Sequence, residues 1–71
     1  MYDNRQMPQT YTAEVAQRHY LQHAALADHY ERLKMASAGD HAAYYRYAEL
    51  QYFHKSRAFH FKGYFSATAQ M

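Results

Sequence analysis

Hydrophobic positions recur along this chain at helical intervals, and nowhere in a clean strand alternation. On a wheel turning about 100° per residue, Thr12, Val15, His19, Leu26, Tyr30, Leu33 and Ser37 fall within about 60° of one another. Glu14, Asp28, Glu31 and Arg32 lie on the other side, which describes an amphipathic helix with one dry stripe. Thr12 is a good N-cap, and Glu14 sits in the first turn, where the helix dipole favours an anion. Arg32 and Lys34 suit the last turns, and Gly39 is the expected left-handed residue beyond them. The first helix is therefore expected over about residues 12–37. Asp40 then caps a second helix that runs from His41 to Lys62 and stops at Gly63.

Ala38, Gly39 and Asp40 form a junction too short for anything but an antiparallel return. The expected fold is all-α: a two-helix hairpin over about 12–37 and 41–62, pairing with a second copy into a four-helix bundle. Residues 1–11, polar and carrying Pro8, read as a flexible arm. The hairpin domain would occupy 12–63, with a tail at 64–71. A Gly-Asp turn between helices bearing small and aromatic residues resembles one tetratricopeptide unit over about residues 33–52, without the family's Trp-Leu-Gly signature or a second repeat.

The second helix is apolar on two sides. One stripe collects His41, Tyr45, Ala48, Tyr52, Ser56 and Phe59; roughly opposite lies another of Ala43, Tyr47, Leu50, His54 and Phe61, with Tyr44 and Phe53 on the flanks. A hairpin covers only one side of a helix. Each ring left in water forfeits roughly 1.5–3 kcal/mol of available burial, so a second covering surface is expected. Size points the same way. Seventy-one residues without cysteine make a thin domain with no covalent staple, and such domains lean on a metal or a partner.

Composition narrows the function. Nine Tyr, four Phe and six His stand against two Gly and one Pro. No Gly-rich phosphate loop, nucleophile elbow or run long enough to span a bilayer occurs. The first residues lack the basic-then-apolar pattern of a secretory signal, so a cytoplasmic location is expected. Glu49, the one acid in the aromatic part of the second helix, is expected to bond a tyrosine hydroxyl or Arg46 rather than act as a general acid. The chain thus reads as non-enzymatic, with no cofactor and no small-molecule substrate.

Three binding chemistries follow from the residues. The first is protein recognition, including self-recognition as a homodimer, through Tyr44, Tyr47, Leu50, His54, Arg57 and Phe61, because Tyr and Arg concentrate binding energy at interfaces. The second is nucleic-acid binding. Residues 41–71 hold Arg46, Lys55, Arg57 and Lys62 against Glu49 alone, and residues 52–65 interleave cations with rings on which bases stack. The third is a metal site. His19 and His23 stand one turn apart, and an antiparallel register in which residue numbers total about 78 brings His60 near His19.

Overall fold

The computed structural model describes residues 12–69, with side chains up to Phe65. The expected N-terminal arm lies outside the described residues. Two helices make up the fold: α1 (Ala13–Ala36) and α2 (His41–Ala69), packed antiparallel along their lengths. No strand occurs among the described residues, and no helix there is long and apolar enough to cross a membrane.

Both helices start where a capping side chain is available. The Thr12 hydroxyl accepts the Val15 N–H at 3.1 Å, with Thr12 itself in extended backbone. Asp40 Oδ1 accepts the Ala43 N–H, also at 3.1 Å. Each bond satisfies one of the donors that a helix start leaves without an intrahelical partner. The turn between them is tight. The Ser37 N–H donates to the Lys34 carbonyl at 3.0 Å and the Asp40 N–H to the Ser37 carbonyl at 2.9 Å.

Two glycine expectations are corrected. Gly39 is not left-handed: neither glycine has positive φ, and the α1 end is closed by Ser37 at φ −104°, ψ 22°. Nor does Gly63 stop α2, which continues to Ala69, so the expected tail from 64 begins as helix. A helical glycine costs about 1 kcal/mol relative to alanine. Beyond it, Tyr64 and Phe65 are half-buried, and the Phe65 ring meets Tyr20 of α1 edge-on at 5.4 Å. An aromatic pair of that kind contributes about 0.5–1.5 kcal/mol beyond its area, enough to offset the glycine and carry the helix through it.

The core is thin. Only Ala16, Ala27, Ala58 and Phe61 are buried among the described residues. Three alanines let the helices approach closely but remove little apolar area, so Phe61, 2% exposed, is the one large anchor. α1 is also turned away from its expected orientation. It presents Ala16, His23 and Ala27 to α2 together with His19 and Tyr30 of the expected stripe, while Val15, Leu26 and Leu33 of that stripe are left along one edge, with Leu26 exposed.

Candidate functional site

Between the helices runs a ladder of six stacked rings, contributed alternately by α2 and α1. Tyr47 stacks on Tyr30 with centroids 6.1 Å apart, and Tyr30 on His54 at 5.7 Å. His54 stacks on His23 at 5.1 Å, His23 on Phe61 at 5.8 Å, and Phe61 on His19 at 4.9 Å. The spacing explains the alternation. Tyr47, His54 and Phe61 recur every seven residues and so share one line of α2, against which Tyr30, His23 and His19 interleave.

At the middle of the ladder, His23 Nδ1 and His54 Nδ1 lie 2.9 Å apart. One ring must donate an Nδ1–H to the bare nitrogen of the other, so the bond exists only while at least one ring is neutral. His23 is held below the ordinary histidine value. Burial penalising its charged form is the first cause, followed by positive charge from His54, Arg57 and His19. Arg57 lies over the Phe61 ring at 5.1 Å, and Lys34 Nζ lies 5.7 Å from the centre of the Tyr44 ring near the turn.

These contacts draw most of the expected contact residues into the hairpin itself. Of its six residues, Tyr47, His54 and Phe61 are spent on the ladder and Arg57 packs on Phe61. Tyr44 and Leu50 are half-buried beside the seam. The stripe that faces water is the other one: Tyr45, Tyr52 and Phe59 are 64%, 73% and 59% exposed. The physical reason lies in the flanks. Leu50 and Phe61 have no polar tip to hydrate, whereas the outer stripe contains Ser56 and is bordered by Lys55 and Lys62, whose burial would strand polar groups.

The metal expectation is corrected as well. His60 follows Phe59 and precedes Phe61, about 100° off the ladder, and is exposed, touching Phe61 and Tyr64 of its own helix. It does not join His19 and His23. No group of three potential ligands is assembled among the described residues. The pair that forms, His23 with His54, was within reach of the register rule used for His60, since their numbers total 77.

Of the four candidate phosphate-binding cations, Arg57 is taken into the seam and Arg46 lies beside Glu49, Leu50 and Phe53. Lys55 and Lys62 are exposed. Lys55 borders an open groove of about 190 Å³ along one side of the hairpin, floored by Ala24, Ala27 and Ala58 and rimmed by Asp28 and Glu31. Comparison with protein families, with curated proteins and with solved structures finds no match to this chain.

Proposed function

We propose that this chain is a non-enzymatic protein-binding module: a homodimeric four-helix bundle that offers the outer stripe of α2 to a target. The observation that carries the reading is that stripe. Tyr45, Tyr52 and Phe59 repeat every seven residues on one line, and more than half of each is exposed, where only four of the described residues are buried. Rings on a rigid helix lose little conformational freedom on binding and bring large contact area, which suits them to anchor a partner. A groove this shallow supports surface recognition better than the enclosure a reaction requires. The thin core supports the second copy, since a chain of this size gains most of its missing burial from a partner.

A second reading, single-stranded nucleic acid, is favoured by one arrangement: Tyr52, Lys55, Phe59 and Lys62 share one side of α2, placing rings and cations together. One experiment separates the two. The variant with Tyr45, Tyr52 and Phe59 all changed to Ser is expected to melt near the parent temperature while losing the target protein in affinity capture. Retained capture overturns the protein reading. Oligonucleotide binding that weakens steeply with added salt, and less steeply in the Lys55→Ala, Lys62→Ala variant, establishes the nucleic-acid one.

A further inference from the structure

The rotation of α1 leaves a second apolar surface, distinct from the outer stripe. The alanine-floored groove marks one side of the hairpin through Ala24, Asp28 and Glu31 of α1 and Gln51 and Lys55 of α2. Residues displaced from the seam in the opposite sense lie on the reverse side: Val15, Leu26 and Leu33 of α1, and Leu50, Phe53 and Tyr64 of α2. Val15, Leu33, Leu50 and Tyr64 are only half-buried, while Leu26 is 37% and Phe53 53% exposed. On α1 the three recur at heptad-compatible spacing with His19, Gln22 and His29; on α2 the three do so with Arg46, Arg57 and His60.

We infer that this face takes a second copy of the same chain, related by a two-fold axis parallel to the helices, with both turns at one end. The inference rests on the self-associating reading above and supplies its geometry. A two-fold axis in that direction leaves every residue at its own height. α1 of one copy then meets α2 of the other in the register of the intrachain ladder, where the numbers of facing residues total about 77 to 80, as for His23 with His54 and His19 with Phe61.

In that register the two strips match themselves. Leu26 of one copy stands at the height of Phe53 of the other, Val15 at that of Tyr64, and Leu33 beside Leu50, one turn on. At the margin, His29 on the outer edge of one strip falls opposite Glu49 on the outer edge of the other, where an imidazole N–H can donate to the carboxylate. Such self-matching at equal heights is what a two-fold interface requires of a single surface. Leu26, Leu33, Leu50 and Phe53 of the two copies extend the seam already present within each hairpin toward a bundle core, with Arg46 and His60 at its solvated margin. The outer stripe of α2, on a different side, stays free for the target.

The natural absence of cysteine makes the test direct. Leu26→Cys and Phe53→Cys are made as separate variants, mixed and oxidised, and the disulfide-linked products are identified by mass. The mixed 26–53 species is expected as the main product. The control mixture of Leu26→Cys with Tyr52→Cys, at nearly the same height but on the outer stripe, is expected to give little. A control product as abundant as the 26–53 product overturns the inference. Light scattering on the unaltered chain separates the two levels of failure. A monomer at every concentration removes self-association itself. A dimer without the 26–53 link removes only this face and register.

Discussion

The two long stripes of α2 are built from nearly the same residue types, yet they have opposite fates. Tyr47, His54 and Phe61 are interleaved with rings of α1, while Tyr45, Tyr52 and Phe59 stand in water. Spacing does not separate them, since both recur every seven residues. What separates them is their borders and their opposition. The inner stripe includes Leu50, is bordered by Ala58 and meets Tyr30, His23 and His19; the outer stripe is bordered by lysines, and its Phe59 lines the edge of the groove shared with α1. A side chain's contribution here depends on what stands across from it more than on its own polarity.

The sharpest way to break that comparison is to truncate one phenylalanine from each stripe. Phe61→Ala removes the largest buried side chain and is expected to destabilise the fold by about 3–5 kcal/mol, enough to unfold so small a domain. Phe59→Ala, two positions away, is expected to cost under about 1 kcal/mol, as for a surface substitution. Chemical denaturation of both variants checks this. Equal losses would mean that both stripes are buried in the folded unit.

Acidification probes the inner stripe through His23. Because His23 is held below its ordinary value when folded, the unfolded chain takes up the proton first as pH falls. The contribution of the ladder is therefore complete above the unfolded value of about 6.5. It declines as pH drops below that value and levels off once the folded ring is protonated too. Protonating both rings also leaves two donors facing each other across the 2.9 Å contact. Thermal melts from pH 8 to pH 5 should show this fall, and His23→Phe, which keeps a ring in the stack, should flatten it. An unchanged slope in the variant would place the acid sensitivity elsewhere.

The smallest expected effect lies where α2 passes Gly63. The residue is helical, its φ is not positive, and a methyl group there would meet nothing within 4 Å. Gly63→Ala is expected to stabilise the fold by roughly 0.5–1 kcal/mol. A loss of stability would show that α2 does not continue as one helix through this point, and that Phe65 is not held against Tyr20 by it.

Much of this architecture is legible in the sequence because it is local. Thr12 and Asp40 carry side chains that bond the first turn of whatever helix follows them, so both starts were readable to within a residue. The three-residue junction forces the chain back on itself whatever the side chains do. Two apolar stripes on α2 could likewise be counted from their spacing. The His23–His54 contact was less accessible: the register brought them to one height, but only the rotation of both helices brings their rings face to face.

A helical wheel gives the angles between residues on one helix, never the direction in which the helix as a whole is turned. That direction is set by the neighbouring helix, through which side chains interleave and which polar borders must stay hydrated. The sequence by itself therefore determined two capped helices, a tight return and an excess of aromatic surface. The tertiary structure decided which stripe of α2 is covered, that α1 turns its alanines rather than its leucines inward, and that α2 runs through Gly63. Each of these is a balance between contacts on different helices, and no pattern within one helix records it.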